Sequence, residues 1–201
     1  YRLFPEVRFP TFAEDAARAA EKLLAVAPAH GLPQRFVAMG HSAGGHTAAA
    51  LALDPRYLEA VGVDPVRRAG LIALSAPVYI DPQEYDTTRP VFAPVAREPA
   101  LGRPVLHVSA DDPPAYVVHG AEDGTVYPIN SRKLAEALQA AGVSATLSLR
   151  AEEGHVGPLV ALSHPFENES DPLAGRLADW VRGLQPAVTS GATAARTRSG
   201  T

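Results

Sequence analysis

Three residue types in a fixed chain order carry the chemistry this sequence could perform. Ser42 sits at the centre of Gly40-His41-Ser42-Ala43-Gly44, a G-x-S-x-G pentapeptide followed by Gly45. The pentapeptide alone arises by chance; its setting raises it. A short apolar run at 35–39 precedes it, and a small-residue apolar stretch at 43–53 follows. That is the strand–turn–helix arrangement of a nucleophile elbow. Side chains at Gly40 and Gly44 are expected to collide with neighbouring elements, so glycine is needed at both. The turn lifts the Ser42 hydroxyl above the sheet. It also aims the Ala43 N–H and a helix N-terminus at developing negative charge, which makes Ala43 the candidate oxyanion-hole donor. The competing reading is a glycine-rich turn with a structural serine. A phosphate loop fits less well, because the Lys-Ser/Thr of a P-loop and the spacing of a dinucleotide fingerprint are both missing.

A serine nucleophile needs a base, and the base needs an orienting acid. When the order is Ser, then acid, then His, Asp123 and His155 fit. Asp123 follows an apolar run at 115–118, in His119-Gly120-Ala121-Glu122-Asp123-Gly124. His155 follows a run at 145–150, after Glu152-Glu153-Gly154. Both positions lie just past predicted strand ends, where open α/β sheets place functional groups. Taken singly, Asp123 could be a turn former before Gly124 and His155 a solvated loop histidine. Jointly, the order and placement favour a catalytic set. Glu122 is the serious rival acid. Asp111 and Asp112 precede their strand, at the wrong sheet edge. His41 shapes the site or packs, and His119 is expected to orient the acid loop. His46 reads as structural, and His30, His107 and His164 as unremarkable. No pair has the spacing of a metal site, and no metal or organic cofactor is required.

These residues need a scaffold, and periodicity supplies one. Residues 12–27 read as an amphipathic helix burying Phe12, Ala16, Ala20, Leu23 and Leu24, with Thr11 and Glu14 as a capping box. Buried strands are expected at 35–39, 71–75 and 115–118, an alternating one at 145–150, and helices at 43–53, 130–141 and 173–184. Tyr1-Arg2-Leu3 reads as the end of a further strand. Strands alternating with helices predict an α/β fold with a mainly parallel sheet. The proline-rich stretch 76–114 reads equally as part of a lid or as a plain surface connection. Residues 1–184 form the expected core and 185–201 an expected disordered tail, poor in large apolar residues.

Composition narrows the class. Of 201 residues, 46% are hydrophobic and 20% charged, which suits one globular domain rather than a disordered chain. The net charge is −4 with scattered basic residues, which gives no footprint for nucleic acid. The absence of cysteine excludes disulfides and thiolate chemistry. No apolar run is long enough to span a bilayer. Localisation stays open.

Tyr1-Arg2-Leu3-Phe4-Pro5-Glu6, Phe9-Pro10, Glu14-Asp15 and Gly40-His41-Ser42-Ala43-Gly44-Gly45 together resemble the esterase/lipase group of α/β hydrolases. That group includes hormone-sensitive-lipase-like carboxylesterases, BD-FAE hydrolases and kynurenine formamidases. His119 to Asp123 with Val126 and Pro128 is similar to the group's acid loop, and Gly154-His155-Val156-Gly157 to its histidine loop. His41 replaces the Asp usual in the hormone-sensitive-lipase branch and is closer to the other two. The resemblance implies an α/β-hydrolase fold lacking its first strands. It also implies a Ser42–His155–Asp123 triad acting through an acyl-enzyme, and a small-molecule ester substrate. An aryl formamide, or a non-catalytic binding role for the same pocket, is the alternative. The group carries a His-Gly-Gly-Gly-type segment upstream of the Tyr-Arg-Leu strand that supplies the second oxyanion donor. The expectation is therefore a chain weak in turnover by itself, with an unpaired strand edge that favours a homodimer or aggregation.

Overall fold

The computed structural model describes residues 1–163 and 172–184. In chain order the main elements are α1 (Thr11–Val26), β1 (Phe36–His41), α2 (Ala43–Leu53), α3 (Arg56–Glu59), β2 (Arg68–Leu74), α4 (Arg89–Phe92), β3 (Ala115–Gly120), α5 (Ile129–Ala140), β4 (Ala145–Arg150), α6 (Gly157–Val160) and α7 (Leu173–Gly183). The expected tail 185–201, and His164, lie outside the described residues.

The strands form one parallel sheet in the order β1-β2-β3-β4. Successive residues point to opposite faces, so each strand feeds two cores. Leu71, Ala73, Ala115 and Val117 face the layer of α2 and α5, with α1 packed outside α2. Ile72, Leu74, Tyr116 and Val118 meet Leu173, Leu177 and Trp180 of α7. The central strands are therefore buried on both sides. That is why they read as continuous apolar runs, whereas the edge strand β4 alternates. Because every strand runs the same way, every β-to-α loop emerges at one edge, and the candidate residues collect there.

Three local expectations are corrected. Tyr1–Leu3 is not a strand. The Arg2 N–H and guanidinium instead bind Asp15 at 2.8–3.1 Å, and the Tyr1 ring lies 5.9 Å from that of Phe12. A strand needs a neighbouring ladder, and the Asp15 carboxylate satisfies this backbone instead. The Thr11 capping box does not form: α1 begins at Thr11 behind Pro10, whose carbonyl accepts from the amides of Ala13 and Glu14. The buried stripe of α1 is Phe12, Ala13, Ala17, Ala20 and Leu24, while Leu23 is exposed.

The stretch 76–114 folds into short helical turns, several opened by proline, which has no N–H to satisfy there. It packs back onto the body through Phe92. That ring stacks on buried Phe9 at 4.9 Å and meets Phe12 and His46 edge-on.

Candidate active site

The turn between β1 and α2 holds Ser42 at φ 53° and ψ −123°. Few non-glycine residues adopt such a backbone, which costs about 1–3 kcal/mol. The Ser42 N–H donates to the Leu74 carbonyl at 2.9 Å, and the Ser42 carbonyl accepts from the His46 amide at 3.0 Å. The turn is thus tied to β2 and to its own helix. Close approach explains two glycines. A side chain on Gly40 would run into the Gly44–Gly45 backbone, and a Cβ on Gly45 would lie 2.7 Å from that of Ala76. Gly44 corrects the sequence reading, because a Cβ there meets nothing within 4 Å. The crowded position is one residue later, where α2 crosses the end of β2.

His155 follows β4. The loop ahead of it is stitched to the loop after β3: Ala121 donates to the Arg150 carbonyl at 2.8 Å, and Glu122 to the Glu153 carbonyl at 3.0 Å. Gly120 permits this, since a Cβ there would strike the Glu153 and Gly154 backbone. The outcome is a hydrogen-bonded line. Ser42 Oγ lies 2.9 Å from His155 Nε2, and His155 Nδ1 lies 2.8 Å from Asp123 Oδ2. Asp123 is buried, and its Oδ1 accepts from the amides of Thr125 at 2.9 Å and Val126 at 2.8 Å. Burial pushes the Asp123 carboxyl up. The hydrogen bonds from His155 and those two amides outweigh it and hold the group below its ordinary range.

Of the rival acids, Glu122 is exposed and only its amide is engaged, with the histidine loop. Asp112 lies at the opposite sheet edge, paired with Arg68 at 3.3 Å, and Asp111 is exposed beside it. His41 Nε2–H donates to the His155 carbonyl at 2.8 Å, and the two rings lie 4.8 Å apart. His46 is buried, bonded to the Gly102 carbonyl at 2.9 Å, and burial pushes its pKa down. His107 bonds the Ala100 carbonyl, and His30 is exposed. Among the described residues no group of three or more His, Cys, Asp or Glu could hold a metal.

Ser42 and Ala43 open onto a cavity of about 540 Å³. Its walls include Phe12, Ile80, Tyr85, Val91 and Phe92, and among the described residues no Asp, Glu, Lys or Arg lines it. The stretch 76–114 thus forms much of the cavity wall. Sequence reasoning overlooked Asn130. Its Oδ1 accepts from the amides of Tyr79 (2.9 Å) and Ile80 (3.1 Å), and its Nδ2 donates to the Tyr127 carbonyl (3.0 Å). One side chain therefore pins the cavity wall to the acid loop. The signal was available: Asn130 and Ser131 lie on the buried stripe of α5 with Leu134, Ala135 and Leu138.

Residues 12–164, which span all three members of the hydrogen-bonded line, match the model of the prolyl oligopeptidase family, peptidase S9. The chain belongs to this family. It is also similar to esterases of the α/β-hydrolase fold. A probable carboxylic ester hydrolase of Mycobacterium tuberculosis, LipM, is 30% identical, aligned over 63% of this chain and 33% of that protein. The chain thus spans about a third of the length of that curated relative. A thermophilic esterase of Thermogutta terrifontis superposes with a TM-score of 0.70 at 27% identity, over 95% of this chain and 71% of its own. A putative carboxylesterase of Lactobacillus plantarum gives 0.71 at 24% identity, over 90% and 70%, which speaks to the fold alone. Prolyl oligopeptidase family membership and these likenesses agree on an α/β-hydrolase fold. Among the described residues no helix is long and apolar enough to cross a membrane.

Proposed function

We propose that this chain is the catalytic core of a carboxylic ester hydrolase, with Ser42 as nucleophile, His155 as base and Asp123 as the orienting acid. The observation that carries the reading is the unbroken line Ser42 Oγ to His155 Nε2 (2.9 Å) and His155 Nδ1 to Asp123 Oδ2 (2.8 Å) beside an uncharged cavity. A carboxylate only accepts, so in neutral His155 the Nδ1 carries the hydrogen. Nε2 then holds a lone pair and accepts the Ser42 hydroxyl.

The steps follow from that tautomer. Oγ bonds to the ester carbonyl carbon as its proton passes to Nε2. The carbonyl electron pair moves onto oxygen, where the Ala43 N–H at the start of α2 donates to it. Asp123 stays ionised and stabilises the imidazolium. The tetrahedral centre collapses, the ester C–O bond breaks, and the departing oxygen takes the proton from Nε2. Water then attacks the acyl-enzyme in the same way, regenerating Ser42 and releasing the acid.

The cavity supports small uncharged esters. A charged acyl or alcohol group would lose its hydration there without an ionic partner, which is costly. Aromatic and aliphatic walls suit an apolar group. The esterase names of these relatives point the same way as the cavity.

The test is turnover of p-nitrophenyl esters together with fluorophosphonate labelling. Label should map to Ser42, and Ser42→Ala should abolish both label and turnover. Label on another serine, or turnover that survives the substitution, refutes the assignment.

A further inference from the structure

His119 takes no part in the steps above, yet it touches the acid directly. It lies in β3 and is wholly buried. Its Nδ1 is 2.6 Å from Ser131 Oγ on α5. Its Nε2 is 2.7 Å from the Val126 carbonyl and 3.2 Å from Asp123 Oδ2. Both Nε2 neighbours are acceptors, so Nε2 must carry a hydrogen. Burial disfavours the charged ring and pushes its pKa down. Nδ1 is then a bare acceptor, and the Ser131 hydroxyl donates to it.

Asp123 is therefore closely surrounded. Oδ1 accepts two backbone amides, Oδ2 accepts from His155, and the His119 Nε2–H, donated to the Val126 carbonyl, lies 3.2 Å from Oδ2. Three of these donors belong to the acid loop itself or to the base. Only the His119 ring is a separate side chain, held by a strand and a helix. An N–H dipole this close to a carboxylate oxygen stabilises its charge and makes it less basic.

We infer that His119 is a positioning residue that fixes Asp123 Oδ2 in place and weakens that oxygen's hold on the His155 proton. The inference rests on the Ser42–His155–Asp123 reading and deepens it. Without His119, Asp123 would favour the imidazolium more strongly, and His155 would stay protonated to higher pH. A protonated His155 cannot accept the Ser42 proton. The other titratable groups nearby do not share this role. His41 on β1 faces the His155 ring and bonds its carbonyl, Glu122 and Glu152 are exposed, and Glu153 is turned onto Arg150 at 2.5 Å.

The sign of the effect separates this role from simple support. Were His119 only a structural prop, its loss would loosen Asp123, weaken its bond to His155 and lower the proton affinity of His155. The inference requires the opposite. The test is an NMR titration of His155 in the full chain and in His119→Phe. The variant should raise the His155 midpoint by about half a pH unit, roughly threefold in proton affinity. The acid limb of kcat/KM should move the same way. His119→Gln, whose amide donor replaces Nε2–H, should return the midpoint toward the parent value. An unchanged or lowered midpoint in His119→Phe, or no recovery in His119→Gln, overturns the inference. Should His119→Phe fail to fold, nitrogen NMR of the unsubstituted chain decides. His119 must be neutral with its hydrogen on Nε2 at the pH where the chain turns over ester, and a charged ring or an Nδ1–H tautomer there overturns the inference. Absence of ester turnover by the unsubstituted chain would sink the esterase reading while leaving the titration readable.

Discussion

Replacing Asp123 with Asn tests the orienting acid, because the change is nearly isosteric and its consequences can be counted donor by donor. Asp123 accepts from Thr125 N, Val126 N and His155 Nδ1, and the His119 Nε2–H lies 3.2 Å from its Oδ2. An amide has one acceptor oxygen and one NH2 donor. If its oxygen takes the Oδ1 place and keeps the two backbone amides, its NH2 faces two histidine N–H groups. The nearer, His155, can respond only by moving its hydrogen to Nε2. That hydrogen then points at Ser42, and the base is lost. If the amide flips, the NH2 faces the amides of Thr125 and Val126, which cannot adapt. The first arrangement is therefore favoured, at a cost of up to about 1 kcal/mol of stability from crowding against the His119 N–H, which keeps the Val126 carbonyl as its acceptor. The wrong tautomer should lower kcat by about 10⁴-fold, equivalent to about 5 kcal/mol of transition-state stabilisation. Initial rates of p-nitrophenyl butyrate hydrolysis, with thermal unfolding as the control for folding, give both numbers. Glu122→Gln, on an exposed side chain, should leave kcat within about twofold of the parent, since surface changes of this kind are small. A folded Asp123→Asn variant retaining a tenth or more of the parent kcat, or a comparable loss in Glu122→Gln, would refute the assignment of the acid.

The two elbow glycines should separate cleanly. Gly40→Ala drives a Cβ into the Gly44–Gly45 backbone, 2.7 Å from the Gly45 nitrogen, and should cost about 1–3 kcal/mol with loss of turnover. Gly44→Ala meets nothing within 4 Å and lies inside α2, so thermal unfolding should show equal stability or a gain of up to about 1 kcal/mol. Arg2 should be read in the titration of Asp15, whose pKa is lowered to about 2, first by the hydrogen bonds from Arg2. That carboxylate's folded pKa is depressed, so its link to the N-terminal arm is fully present above its ordinary value of 3.8 and is lost as pH falls through about 2. Arg2→Ala should return the Asp15 midpoint toward 3.8 by NMR, and an unmoved midpoint would show that another group holds it.

Much of the site was legible in the sequence because its parts are local. A strand, a tight turn and a small-residue helix around Ser42 lie within a few residues of one another, and backbone sterics act at that range. The continuous apolar runs at 71–75 and 115–118 reported strands buried on both faces, whereas the run at 35–39, expected to be buried, forms the partly exposed edge strand β1. The order of the runs implied a parallel sheet whose loops emerge together. The rank of Ser42, Asp123 and His155 along the chain followed. What the tertiary structure decided were pairings between distant segments. Asp123 rather than Glu122 meets His155 because the Glu122 amide is spent on the Glu153 carbonyl, which depends on how two loops abut across Gly120. Gly45 rather than Gly44 is crowded because α2 crosses Ala76 at that residue. Tyr1–Leu3 found the carboxylate of Asp15 instead of a ladder. Asn130 and His119 look like ordinary polar residues until the cavity wall, the acid loop and α5 converge on them. Periodicity tells which face of an element is buried. It does not tell what stands opposite, because that depends on the register and approach of elements far apart in the chain.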